Sequence, residues 1–584
     1  MDTAELSGSI QERSRWIAIA RGTEPADLVL KGGKVVSVFT DEVFPADVAI
    51  SGGHVVGLGE YNGVEEVDVS GQFVLPGFID GHCHIESSKL DVDEFARAVL
   101  RCGTTAVVVD PHEMANVLGV AGIEYVLERS EGIPLDVFVM IPSCVPASPF
   151  ETAFGPLEAT EFGPLLEHPR VLGIGEMMNY PAVIGAEDAV LEKLALTNWE
   201  RIDGHAPVVS GRELNAYLVA GPATDHECTT LAEALEKRRL GMWVMIREAS
   251  MIRNLQDLLP LVRSHGTENT LFVTDDREAD TLLHEGHMNA MVRNAVAAGL
   301  DVSQAVKLAS LNVARCHGLT RVGAVAPGYV ADLCVMPDLT EFWPCLVLKR
   351  GRVVVEDGRA ASFAAPSSQR PVRHTVHLPE ASAIDLSLAS GRDGMVQAAV
   401  VDLVSDQVVT GHGIATMKAS EGVIQADPDQ NIAKLAVVER HHASGRVGKG
   451  LVRGFGLRKG AFASTVAHDA HNVVVVGVDD LDMRQAVIRL GEMGGGLVVV
   501  EDGRVLGEMA LPIAGLMSDR DANTVDRGIR ELEANLCDLG VDVATPFMYL
   551  SFLALSVIPA LRVTDQGIVD VERFAIIPLE TEGA

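Results

Sequence analysis

The chain has 584 residues, which at about 150 residues per domain predicts three or four structural units. Apolar residues make up 47% and charged residues 22%, an ordinary globular composition that excludes disordered, collagen-like and mini-protein classes. Lys and Arg total 47 against 81 Asp and Glu, so the net charge is −34, and no basic cluster offsets it. Such a surface repels phosphate backbones, and no nucleic-acid partner is expected.

Met1 to Gly22 carries Asp2, Glu5, Glu12, Arg13 and Arg15 without an apolar core, which predicts no leader and a cytoplasmic chain. Ala26–Val38 and Ala46–Leu58 are partly alternating apolar runs broken by Gly32-Gly33 and Gly52-Gly53. They read as strands joined by tight turns, so residues 1–72 are expected to hold a polar N-terminal segment and the first part of a small β domain. From Phe73 the pattern becomes strand-then-helix. The predicted strands are Phe73–His84, Thr105–Asp110, Asp136–Ile141, Val171–Met178, Arg201–His205, Ala223–His226, Met242–Arg247 and Thr270–Asp275. Eight such units in about 250 residues are the arithmetic of a (β/α)8 barrel, expected over 73–325, with its active site at the carboxyl ends of the strands.

β pattern returns at Ala331–Met336 and Leu346–Glu356, so 326–365 is expected to complete the small β domain, with the barrel inserted in it. Pro366-Ser367-Ser368-Gln369-Arg370-Pro371 reads as a linker to an additional C-terminal α+β domain over 372–584, with a strand at Asn472–Val478 and a helix at Asp482–Met493. The uncharged stretch Ala544–Leu561 is long enough for a membrane helix, but Pro546, Pro559, Ser551 and Ser556 interrupt it. A buried helix is the expectation, and no membrane partner. The eight cysteines lack tight spacing and are expected to be reduced thiols.

The chemistry concentrates at the strand ends. The first ends in Asp80-Gly81-His82-Cys83-His84, where residues two apart share a face, so His82 and His84 can present two imidazoles to one point. The fourth ends in Gly175-Glu176, the fifth in Asp203-Gly204-His205, the sixth in Thr224-Asp225-His226 and the eighth in Thr274-Asp275-Asp276. Four histidines and two carboxylates converging from five strands suit two divalent cations. Asp110-Pro111-His112-Glu113 ends the second strand, where His112 or Glu113 can meet a substrate edge or assist proton transfer. A Pro-started turn is the plainer alternative. Arg247 and Glu248, at the end of the seventh, are expected to pair with each other. His468-Asp469-Ala470-His471-Asn472 can cap the barrel mouth or bind another metal, although two histidines three apart at a turn are more often structural. Gly494-Gly495-Gly496 reads as a helix stop.

These motifs carry a family resemblance. Pro76–His84, with Ala309–Arg315 and Gly328–Leu333, is similar to the amidohydrolase superfamily. The order of the Glu176, His205, His226, Arg247 and Asp275 segments, plus the 468–472 motif in a long C-terminal domain, resembles the bacterial adenine deaminases. The resemblance implies that His82, His84 and Asp275 hold one metal, His205 and His226 the other, and that Glu176 bridges them. It also implies manganese(II) or iron(II), although nitrogen and oxygen ligands suit zinc as well. The implied reaction is hydrolysis of adenine to hypoxanthine and ammonia, with Asp275 as proton carrier or as ligand alone. A related hydrolase of another aminated heterocycle or cyclic amide, and a non-catalytic scaffold, are the alternatives. A homo-oligomer, a dimer, is expected.

Overall fold

The computed structural model describes residues 10–197, 201–405 and 407–581; the first part of the polar N-terminal segment, residues 1–9, lies outside them. Eight parallel strands form the barrel: β1 (Phe78–Cys83), β2 (Thr104–Val109), β3 (Asp136–Ile141), β4 (Val171–Met177), β5 (Ile202–Gly204), β6 (Thr224–Asp225), β7 (Trp243–Arg247) and β8 (Thr270–Val273). The first five pair in sequence order and so do the last three. The ring is joined where the Ala223 amide donates to Ile202 O and where Cys83 bridges in parallel to Asp275.

Alternation along the strands sorts the apolar side chains into two sets. Ile79, Ala106, Val108, Phe138, Met140, Met245, Leu271 and Val273 form one buried cluster. Their strand neighbours Val107, Val109, Val137, Val139, Val244, Ile246 and Phe272 belong to the cluster that also holds the helices. This is the period of two that a strand buried on both faces imposes.

The run expected as one strand over Phe73–His84 is two. Phe73–Pro76 pairs antiparallel with Leu333–Met336 and parallel with Lys34–Ser37, in a seven-stranded sheet of the small β domain. That sheet thus takes strands from both sides of the barrel. In the companion four-stranded sheet, Gly52 and Gly53, at φ of +56° and +78°, make the turn between Asp47–Ser51 and His54–Gly59. Both angles are in the region that glycine adopts freely, which is why a Gly-Gly pair stands there.

Beyond the linker a ten-stranded sheet is followed by a small three-stranded one. Helix α1 (His112–Leu118) follows β2 of the barrel; α2 (Asp480–Met493), α3 (Ala522–Asp538) and α4 (Pro546–Phe552) belong to the C-terminal domain. Asp479 caps α2 by accepting from the Leu481 and Asp482 amides, and Gly494 ends it in the left-handed region. Every residue of α4 is buried, and among the described residues no helix is long and apolar enough to cross a membrane. All eight cysteines are free thiols.

The C-terminal domain sits on the mouth of the barrel. The Ser518 amide donates to Lys89 O, Asn472 Nδ2 to Thr152 O at 2.9 Å, and Thr564 Oγ1 to Phe150 O. It covers most of the carboxyl ends of the strands: His82, His84, Glu176, His226 and Asp275 are each 5% exposed or less, while His205 stays partly exposed.

Candidate metal centre

Glu176, at the end of β4, is the hub. Its Oε1 lies 3.8 Å from His82 Nε2 and 3.5 Å from His84 Nε2, while Oε2 lies 2.8 Å from His205 Nδ1 and 3.3 Å from His226 Nε2. Each carboxylate oxygen thus faces a different pair of imidazoles. His82 stacks on His226 with ring centroids 4.3 Å apart. Asp275 Oδ1 stands 3.1 Å from His84 Nε2, on the side of the His82–His84 pair.

The surroundings orient these groups. His84 Nδ1 bonds to the Asp110 carbonyl at 2.8 Å, which puts the ring proton on Nδ1 and leaves the Nε2 lone pair facing Glu176 and Asp275. Asp110 Oδ2 accepts from the Glu176 amide at 2.8 Å. Burial opposes the charge on Glu176, but hydrogen bonds from His205 and His226 hold its carboxyl well below the usual range. Burial acts on Asp275 in the same sense, and the Arg247 guanidinium together with His84 and His226 holds its carboxyl well below the usual range. His226 is raised to about 9, because the Glu176 carboxylate more than offsets the burial that would lower it.

Arg247 does not pair with Glu248. Its Nη1 donates to Asp275 Oδ2 at 2.6 Å, and the guanidinium forks onto Glu227 through Nη1 and Nη2. Glu248 instead accepts from the Leu255 amide at 3.1 Å. Adjacent residues at the end of a strand face opposite ways, so consecutive positions could not make the expected pair.

The structure brings His112 and Glu113 to the mouth as well. His112 Nδ1 is 3.3 Å from Glu176 Oε1, and its Nε2 is 3.8 Å from Asp469 Oδ1 of the C-terminal domain. Glu113 meets His468 Nδ1 at 2.9 Å. The 468–471 segment therefore lines the mouth. This is the first of the two readings the sequence offered for it, a cap on the barrel mouth. Asp276 is a further group missed in sequence: an oxygen of its carboxylate, one of Asp275 and a nitrogen of His84 lie within 4.8 Å of one another.

These residues fit divalent cations. His82 Nε2, which faces Glu176, and Asp110 Oδ1 are buried without a hydrogen-bond partner. Lone pairs kept from water and from protein donors are costly unless a further group satisfies them. His82, His84 and Glu176 form one group able to hold an ion, and Glu176, His205 and His226 a second that shares the same glutamate. Imidazole and carboxylate donors suit first-row divalent metals.

A parallel barrel carrying such donors at its strand ends defines a metal-dependent hydrolase of the amidohydrolase class. Residues 73–354 match the model of the Amidohydrolase family, and residues 407–575 that of the Adenine deaminase C-terminal domain. The chain is 47% identical to "Adenine deaminase 2" of Carboxydothermus hydrogenoformans, over 96% of this chain and 98% of that one. It is 46% identical to "Adenine deaminase" of Desulfatibacillum aliphaticivorans, over 96% and 99%. The chain belongs to the adenine deaminase family. Among solved structures, the beta-aspartyl dipeptidase of Fervidobacterium islandicum AW-1 is 18% identical, covering 57% of this chain and 99% of that one at a TM-score of 0.43.

Proposed function

We propose that this chain hydrolyses adenine to hypoxanthine and ammonia at a centre of two divalent cations. His82, His84 and Asp275 would hold one, His205 and His226 the other, with Glu176 between them. The observation that carries the reading is the division of Glu176: Oε1 faces His82 and His84, and Oε2 faces His205 and His226. Manganese(II) or iron(II) is the proposed pair, and zinc(II) is compatible with the same donors.

When bound, the cations supply a water acidified enough to act as a nucleophile at neutral pH. The chain's own residues do the rest. Asp275 is held as a carboxylate by Arg247, 2.6 Å away, so it can accept a proton as the attack on C6 of the purine proceeds and return one to the departing amine. His112 lies between Glu176 Oε1, 3.3 Å from its Nδ1, and Asp469 Oδ1, 3.8 Å from its Nε2, where it can assist proton transfer. The domain over the mouth excludes bulk water, which strengthens each of these electrostatic contacts.

The test is ammonia release and the adenine-to-hypoxanthine absorbance change on protein loaded with manganese, with metal counted on the same sample. About two metals per chain with turnover supports the reading. Two metals without turnover of adenine discards the substrate and sends the search to other aminated heterocycles and cyclic amides.

A further inference from the structure

Two buried polar atoms beside the centre remain without hydrogen-bond partners and belong to different domains: Glu113 Oε2, at the start of α1, and His471 Nε2, of the C-terminal segment. They lie 3.9 Å apart, too far to satisfy each other. Glu113 is 1% exposed and His471 0%. The other oxygen of Glu113 is occupied, by His468 Nδ1 at 2.9 Å and Ser87 Oγ at 3.3 Å. Ser87 Oγ, whose single proton can serve either carboxylate, stands between Glu113 and Asp276, next to Asp275, so the pair lies one side chain from the centre.

The sign of each atom follows from its neighbours. The Ala467 amide donates to His471 Nδ1 at 3.0 Å, which makes that nitrogen an acceptor and puts the proton of the neutral ring on Nε2. Nε2 is therefore a donor. Glu113 Oε2, a carboxylate oxygen, is an acceptor. The barrel and the C-terminal domain together present an acceptor and a donor side by side. One edge of a free purine base has the complementary order: the imidazole N–H beside the lone pair of the adjacent six-ring nitrogen.

We propose that Glu113 Oε2 accepts from N9–H and His471 Nε2 donates to N3 of the purine, so that the chain reads the free base and rejects one substituted at N9. His468 is the positioning residue, fixing Glu113 from the far domain. The inference rests on the adenine reading above. It gives the C-terminal domain a part in substrate selection, because two of the three side chains are its own.

The experiment uses full-length, metal-loaded enzyme and Glu113→Gln, His471→Asn and His468→Leu variants, each with its metal counted. Asn is chosen at 471 because it tolerates the positive φ of 55° found there. In Glu113→Gln, KM for adenine and the dissociation constant of hypoxanthine, measured by calorimetry, are expected to rise about 10- to 100-fold, with kcat changed far less. Binding of 9-methylhypoxanthine, which has no N9–H, should be unmoved, narrowing the discrimination by the same factor. In His471→Asn, adenine should weaken to the level of 3-deazaadenine while 3-deazaadenine itself stays put. His468→Leu should follow Glu113→Gln. Hypoxanthine affinity unchanged in both Glu113→Gln and His471→Asn overturns the proposal, as does a collapse of kcat alone. A loaded wild-type enzyme that neither turns over adenine nor binds hypoxanthine overturns the adenine reading itself.

Discussion

The two ends of the barrel bury the same kinds of charged residue and treat them oppositely. At the amino end, Lys349 Nζ lies 2.6 Å from Asp136 and 2.7 Å from Asp332, and the other oxygen of Asp332 takes the Arg350 amide at 2.7 Å. That network is complete and ties the small β domain to the start of β3. At the carboxyl end, His82, Asp110, His112, Glu113, Asp203, His226, Asp469 and His471 each keep a buried polar atom without a partner. A closed ionic network holds two layers together, whereas an open one stores demand for a ligand. Charge and burial alone do not separate the two ends; completeness of the hydrogen bonding does.

The comparison can be broken most sharply at the hub. Glu176→Gln or Asp275→Asn should lower adenine turnover by about 10^2- to 10^4-fold, with metal content falling in the Glu176 variant. An active enzyme in either case would show that the open end is not where the chemistry is. At the other end, Lys349→Met takes the ammonium from the buried Asp332 and the partly buried Asp136 and should destabilise the fold by about 3 kcal/mol, read by urea titration. Turnover per folded, metal-loaded chain should be unchanged; a loss of turnover with intact stability would erase the distinction.

Metal should stabilise one end only. Manganese at about 100 times its dissociation constant is expected to add about 2.7 kcal/mol to unfolding, an increment that Glu176→Gln loses and Lys349→Met keeps. The smallest expected effect is one of pH at the seam between the domains. Burial alone would lower His468, but the Glu113 carboxylate outweighs it and raises the imidazole from 6.5 to about 9. A group raised in the folded state contributes stability that is full below its unfolded value and is lost as pH rises through the folded one. The contribution, about 1–3 kcal/mol, should therefore be present at pH 6 and gone by about pH 10. Melting of His468→Gln, compared with wild type over that range, should lack this step.

Much of this was legible in the residues. Strand runs with apolar side chains at nearly every position marked the parallel barrel, because only strands covered on both faces are so apolar. Histidine and carboxylate at successive strand ends marked the mouth, because strand ends in such a barrel share one face. The break at Gly77 was not legible: Phe73–Pro76 and Phe78–Cys83 are equally apolar, and only pairing with Leu333–Met336 assigns the first to another sheet. Nor was the partner of Arg247, since Glu227, twenty positions away, lies in the loop that follows the neighbouring strand β6.

What the sequence by itself determined is therefore what local patterning controls: the alternation of strand and helix, the helix stop at Gly494, and the chemical type of the six residues at the strand ends. Tertiary structure alone decided how those residues divide around Glu176 and which C-terminal side chains reach them. His468, Asp469 and His471 lie hundreds of positions from the barrel strands they face. Contacts between such distant positions are set by how two finished surfaces fit, and no local period encodes that fit.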